Sequence, residues 1–302
     1  MNTSWHVGLD SGGSKTELLA ASPSSEERAR LAGPSAHMRR MTTQEAADVL
    51  TDLLHEFLRA APERSLNAVC VGVAGAGRPD ERRQLAEVLR AALGDDAPSH
   101  LHVVHDGEIA LEAAFSGESG AITISGTGSL VLARTRGGKL ERAGGWGYLL
   151  GDDGSGLSLG RRGLRAVAAA HDGGPDTRLQ ALFSEQHDVG STLDLINLLH
   201  HDDWPMQQMA PLVIKAAEAS DDVARRLLAE ETRRLVQQVR WITDRTSVSL
   251  EPQLAPLGGL TNEAPYVDAY RKAVREKLPG WTIREPEHPP AVGALRMAQA
   301  MS

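Results

Sequence analysis

The chain has 302 residues, 41% of them hydrophobic, enough to bury a sizeable core and beyond the size one core usually serves, so two lobes are expected. With 40 acidic against 32 basic side chains the net charge is -8, and a surface that repels phosphate backbones argues against nucleic acid or an anionic membrane as partner. The opening Met1-Asn2-Thr3-Ser4-Trp5 has no basic lead into an apolar run, and no stretch approaches the ~20 apolar residues of a membrane span, so a cytoplasmic protein is expected.

In chain order, Trp5-His6-Val7-Gly8-Leu9 reads as a strand that stops at Asp10, and Leu18-Leu19-Ala20-Ala21 as its returning partner around a Gly-rich tip. After Gly33-Pro34, Thr42 or Thr43 can cap a helix whose Ala46, Val49, Leu50, Leu53, Leu54 and Phe57 fall at helical spacing, ending near Pro62. A strand over Ala68 to Val73 follows, holding the single cysteine, Cys70, which reads as a core residue and leaves no disulfide or cysteine cluster to consider. Next come a helix from about Pro79 to Leu93 and the strand Leu101-His102-Val103-Val104, ending at His105-Asp106. Strands alternating with helices predict a parallel-type sheet in an α/β lobe.

Ala121-Ile122-Thr123-Ile124 and Leu130-Val131-Leu132-Ala133 predict a second hairpin with a Gly-rich tip. From about Ser155 to Arg245 the pattern is mostly helical, clearest over Asp221 to Arg245, where Val223, Leu227, Leu228, Leu235, Val239 and Ile242 share one side. The chain closes with a strand from Gln253 to Leu257, the Gly258-Gly259 turn, a helix from about Ala264 to Leu278, a short strand near Trp281-Thr282-Ile283 and a helix after Pro289-Pro290.

Four segments carry candidate chemistry. In Asp10-Ser11-Gly12-Gly13-Ser14-Lys15-Thr16 a carboxylate ends a strand, and the glycines let backbone N-H groups approach phosphate oxygens while Asp10 serves Mg²⁺; plain turn-making is the competing explanation. Ser125-Gly126-Thr127-Gly128-Ser129 offers the same chemistry with three hydroxyls. Asp106 starts a helix through Gly107-Glu108-Ile109-Ala110, where local sequence reads it first as an N-cap. The run Gly144 to Gly156 suits no regular helix or strand and reads as a functional loop, in which Trp146 can stack on a sugar face and Asp152 can accept from a diol. Gly258-Gly259 is either a place where a nucleotide base crosses backbone or an ordinary strand-to-helix turn, and His200-His201-Asp202-Asp203 reads as a solvated loop with no metal spacing.

Taken together, Asp10-Ser-Gly-Gly-Ser-Lys-Thr, His105-Asp106, Ser125-Gly-Thr-Gly-Ser, Gly144-Gly-Trp-Gly-Tyr-Leu-Leu-Gly-Asp-Asp-Gly-Ser-Gly and Pro289-Pro-Ala-Val-Gly-Ala-Leu resemble the N-acetylglucosamine kinase branch of the BadF/BadG/BcrA/BcrD ATPase family, in the actin-like ATPase and hexokinase superfamily. The resemblance spans nearly the whole chain. It implies two RNase H-like α/β lobes hinged over a cleft: residues 1-115 with the terminal helix 288-302, and a larger lobe 116-287 that mainly binds ATP. It also implies Mg²⁺ at Asp10 and ATP at Asp10, Gly12, Gly13, Ser14, Lys15, Gly126, Thr127, Gly128, Gly258 and Gly259. Asp106 is then the base, the sugar contacts Asp106, Gly145, Trp146, Gly147 and Asp152, and the product is the sugar 6-phosphate. A homodimer is expected, with an amino sugar and ATP as small-molecule partners.

One departure concerns the acceptor, because the family's kinases usually place an asparagine after the Gly-Pro-Ser type turn and this chain has Ala36-His37. N-acetylglucosamine leads, with glucosamine and N-acetylmuramic acid as alternatives. A cluster-bearing reductase activator would need paired cysteines, a sugar-responsive repressor would need a DNA-binding module ahead of Asp10, where nine residues stand, and a non-catalytic sensor is separated only by assay.

Overall fold

The computed structural model describes residues 3–22, 28–61, 63–187, 189, 191–200, 204–245 and 250–302. They form two compact units, Met1–Glu118 with Glu285–Ser302, and Ser119–Arg284.

The first unit is built on strands β1 (Thr3–Ser11), β2 (Lys15–Ala21), β3 (Arg28–Pro34), β4 (Arg64–Val73) and β5 (His100–His105), in the order β3-β2-β1-β4-β5. The β1-β2-β3 meander is antiparallel, and β4 and β5 join β1 in parallel, so the sheet is mixed. Crossovers run through α1 (Thr43–Arg59) and α2 (Pro79–Leu93), and α3 (Asp106–Phe115) follows β5. Of the two threonines able to cap α1, Thr42 does so: its hydroxyl accepts the Glu45 N-H at 3.3 Å and the Glu45 carboxylate accepts the Thr42 N-H at 2.7 Å. The expected end of this helix at Pro62 lies outside the described residues.

The second unit repeats that plan with β6 (Gly120–Ser125), β7 (Ser129–Arg134), β8 (Leu140–Gly144), β9 (Gln253–Leu257) and β10 (Thr282–Ile283), ordered β10-β9-β6-β7-β8. Between β8 and β9 lie α4 (Gly156–His171), α5 (Arg178–His187), α6 (Thr192–His200), α7 (Ala210–Glu218) and α8 (Asp222–Arg245), and α9 (Ala264–Lys277) precedes β10. His201, Asp202 and Asp203, expected as a solvated loop, lie outside the described residues, and His200 closes α6.

Each unit has its own core. That of the first is packed by Trp5, Leu9, Leu18, Leu50, Phe57, Leu85 and Leu89, that of the second by Leu159, Phe183, Val213, Leu235, Val239, Tyr266 and Tyr270. Cys70 is buried on β4, and burial pushes its thiol up to about 12, so it is an inert core residue. Among the described residues no helix is long and apolar enough to cross a membrane.

The last helix, α10 (Pro290–Gln299), returns to the first unit and packs on β1 and α3. The approach is close enough that a Cβ on Gly8 of β1 would overlap the Leu295 backbone, and one on Gly293 would overlap the Ile109 carbonyl of α3. Gly8→Val should therefore cost about 3 kcal/mol of stability or more in urea denaturation, because a rigid backbone rather than a side-chain tip must yield.

Candidate active site

At the C-terminal ends of β1, β4 and β5 the first unit gathers two carboxylates. Asp10 is the penultimate residue of β1, and burial first, then the negative charges of Asp106 and Glu17, push its carboxyl up to about 6 against the opposing pull of Lys15. Asp106 is the first residue of α3, while the N-cap is His105, whose Nδ1 accepts the Gly107 N-H at 3.0 Å. The same N-H reaches Asp106 Oδ1 at 2.9 Å, and Glu108, paired with Arg82 of α2, accepts the His105 N-H. These bonds fix the head of α3 and leave the Asp106 side chain 30% exposed, so one oxygen can meet a hydroxyl.

The β1-β2 tip is stitched to the strip that follows β3. Ser11 Oγ accepts the Ala36 N-H at 2.8 Å, Ser35 Oγ donates to the Gly12 carbonyl at 2.6 Å, and Arg40 Nη1 donates to the Gly13 carbonyl at 3.0 Å. Ser14 and Lys15 are exposed, Lys15 lying 3.6 Å from Glu17. A Cβ on Gly13 would meet nothing, and on Gly12 only ordinary contact, so the fold itself does not demand glycine at either place. The Gly12 N-H closes the turn on the Lys15 carbonyl at 3.1 Å, and the space over both glycines is clear.

In the second unit, the β6-β7 turn is held by the loop that follows β8. The Gly126 and Thr127 carbonyls accept N-H groups from Gly156 and Leu157 at the head of α4, at 2.8 and 3.2 Å. Asp152 is buried and turned toward this turn, with Oδ1 3.3 Å from the Ser129 nitrogen and its carboxylate against Gly128. Gly126 faces open space and Thr127 is exposed, which leaves the tip free to receive a phosphate. Trp146 is 73% exposed, a bare ring able to stack on a sugar, and Tyr148, Leu149 and Leu150 are exposed beside it.

The far end of this loop is anchored at Gly154. Its N-H donates to Glu231 Oε2 at 2.7 Å, and its carbonyl accepts from Tyr266 at 2.7 Å and from Ser125. Glu231 is fully buried on α8 and pairs with Arg162 of α4 at 2.9 Å, and Arg162 also meets Glu230. Gly154 takes φ +82°, and a Cβ there would stand 2.7 Å from that of Leu235.

Gly258 and Gly259 differ in what they face. A Cβ on Gly258 would overlap the Ser125 backbone, so that glycine serves sheet packing, whereas Gly259 opens to free space. Five residues beyond it, Ala264 and Pro265 line a cavity of about 470 Å³ between α7, α8 and α9, bordered also by Glu218, Arg225, Asp268 and Lys272.

The sequence profile of the BadF/BadG/BcrA/BcrD ATPase family matches residues 7–298. The chain belongs to this family. An N-acetylmuramic acid/N-acetylglucosamine kinase from Clostridium acetobutylicum is 30% identical, with 97% of this chain and 98% of the relative covered. An N-acetyl-D-glucosamine kinase from Dictyostelium discoideum is 26% identical over 97% of each chain. Among solved structures, a protein from Chromobacterium violaceum provisionally assigned as an N-acetylglucosamine kinase superposes with a TM-score of 0.76 at 24% identity, covering 98% and 99% of the two chains. The fold class is thus α/β with two actin-like lobes, as the family resemblance implies.

Of the residues the family resemblance implies, Asp10, Gly12, Gly13, Ser14, Lys15 and Asp106 fall in the first unit, Asp10 and Asp106 at the C-terminal end of its parallel strands. Gly126, Thr127, Gly128, Gly145, Trp146, Gly147, Asp152, Gly258 and Gly259 fall in the second. The Gly154 anchor, made by Ser125, Glu231, Tyr266 and, through Glu231, Arg162, was not anticipated. Its signal was available: Glu231 sits four residues from both Leu227 and Leu235, a carboxylate inside the apolar stripe of α8.

The raised Asp10 value carries a sign. A folded-state value of about 6 against the usual 3.8 means that the unfolded chain releases this proton first as pH rises. The cost to the fold is absent below about pH 4, grows toward pH 6 and is complete above it. Asp10→Asn should exceed the parent by about 2–3 kcal/mol in urea denaturation at pH 7, with the difference vanishing near pH 4. Glu231→Ala, which leaves a buried guanidinium half compensated and the Gly154 N-H without its acceptor, should lose about 3 kcal/mol, read as a lowered melting temperature.

Proposed function

We propose that this protein is an ATP-dependent amino-sugar kinase that phosphorylates N-acetylglucosamine at its primary hydroxyl, with N-acetylmuramic acid as a second acceptor, as the dual name of the Clostridium relative suggests. The observation that carries this reading is Asp106, a carboxylate fixed at the head of α3 with one side open, next to a second carboxylate whose charge is held at a cost. Asp106 accepts the proton of the attacking hydroxyl as the sugar oxygen bonds to the γ-phosphorus, and the bond to the β-bridging oxygen of ATP breaks to release ADP.

Asp10 fits Mg²⁺ in a specific sense. Among the described residues no group of three His, Cys, Asp or Glu side chains could hold a metal, so the protein offers single carboxylates and leaves the other ligand positions to phosphate oxygens and water, as Mg²⁺ sites in kinases do. Bound there, the ion would relieve the repulsion at Asp10 and supply charge neutralisation for the phosphoryl group. The open tips at Gly12-Gly13-Ser14-Lys15 and Gly126-Thr127-Gly128 would donate to phosphate oxygens.

In this reading the second unit is the main ATP-binding part. Adenosine passes over Gly259 into the cavity beside Pro265, where the carboxylates of Glu218 and Asp268 can accept from the exocyclic amine and Arg225 or Lys272 can lie over the ring. Trp146, with Gly145 and Gly147, meets the sugar face, and Asp152 both steadies the β6-β7 turn and offers its carboxylate to a sugar hydroxyl. Cytoplasmic location and a homodimer belong to the same reading, the latter checked by light scattering.

A coupled ADP-release assay with Mg-ATP against N-acetylglucosamine, glucosamine, N-acetylmuramic acid, N-acetylmannosamine and glucose tests it. Sugar-dependent ADP release is the expected result, and Asp106→Asn should lower kcat by about a thousandfold while ATP still binds. Silence with every sugar would overturn the proposal.

A further inference from the structure

The strip after β3 does more than hold the hairpin tip. Within four residues it carries His37, Arg39 and Arg40, in a protein whose net charge is -8 and close to the acidic group of Asp10, Asp106 and Glu17. Its backbone is seated on the loop after β4: the Met38 N-H donates to the Ala74 carbonyl at 3.1 Å, and the Ala74 N-H donates to the Ser11 carbonyl at 2.8 Å. His37 and the Arg39 stem both lie on Gly75, each 3.1 Å from where a Cβ would stand, so that glycine makes room for the pair.

The two arginines are engaged differently. Arg40 spends Nη1 on the Gly13 carbonyl. Arg39 is exposed, and among the described residues its guanidinium has no hydrogen-bond or ion-pair partner, while its own N-H donates to His37 Nδ1 at 3.1 Å. That bond fixes the ring: with Nδ1 accepting, a neutral His37 carries its proton on Nε2 and presents a donor. Burial, then Arg40, hold the ring below its usual range and hence neutral, against the pull of the nearby Asp106.

We propose that Arg39, assisted by the His37 Nε2-H, recognises a carboxylate carried by the second acceptor, so that Arg39 is the residue that lets this kinase take an acidic amino sugar beside the neutral one. The inference rests on the kinase reading, because the base Asp106 marks where the acceptor must lie. Two observations favour a carboxylate here. An anionic acceptor approaching two aspartates needs a local excess of positive charge, and this strip supplies it; a planar guanidinium with no partner offers paired N-H groups that match two carboxylate oxygens.

The test compares kcat/KM for N-acetylmuramic acid and N-acetylglucosamine in the full-length protein and in Arg39→Gln and Arg39→Lys. The ratio of the two constants should fall by about ten- to a hundredfold from the parent to Arg39→Gln, chiefly through KM, with partial recovery in Arg39→Lys. In the parent alone, raising ionic strength should raise KM for the acidic sugar and not for the neutral one. Phosphorylation of N-acetylglucosamine without N-acetylmuramic acid, or an unchanged ratio in Arg39→Gln, overturns the inference and leaves the kinase reading standing. Turnover of neither sugar overturns both.

Discussion

A single residue inside the second lobe anchors the far end of its long glycine-rich loop. Gly154 gives its N-H to a buried carboxylate and takes two hydroxyls on its carbonyl, and the donors and acceptors come from β6, α8 and α9. With the bonds from Ser129 to the Asp152 carboxylate and the Asp153 carbonyl, they hold the second half of a stretch that has no regular structure of its own. Inside a dry interior such bonds are strong and the loss of any partner is costly. Glu231 is met there by Arg162, on the helix that begins where the loop ends. The loop is thus tied at its exit to the same network that fixes its course.

The first lobe solves a different problem, which is to keep two like charges close. Nothing in the Asp10 and Asp106 side chains favours their proximity; the parallel pairing of β1, β4 and β5 brings the strand ends that carry them together, and α10 packs across β1 and α3 with glycines at the crossing points so that backbones touch. Two carboxylates held this close repel one another, and the cost is met by apolar contact elsewhere in the unit.

How much of this could be read from sequence follows from what each residue signals locally. Helix α2 and strand β9 have the limits read from sequence, because Pro79 and the Gly258-Gly259 pair mark them. Strands β3 and β8 were not anticipated: both lie at sheet edges, neither has a continuous buried face, and Arg28, Arg30, Glu141 and Arg142 hide the strand pattern. The Gly-rich tips were legible as candidate phosphate sites because glycine composition is conspicuous. That Gly258 answers to Ser125 while Gly259 faces open space is a property of packing between distant strands, and no local signal carries it.

The order of the pieces along the chain has a consequence for the nascent protein. Residues 119–284 form a complete unit that leaves the ribosome before α10 exists, although most of the first unit was made earlier. Until α10 emerges, β1 and α3 lack the helix that packs across both, so the half translated first is the half finished last. A newly made molecule therefore passes through a stage in which the second unit is formed while the unit that carries Asp10 and Asp106 still waits for its closing helix.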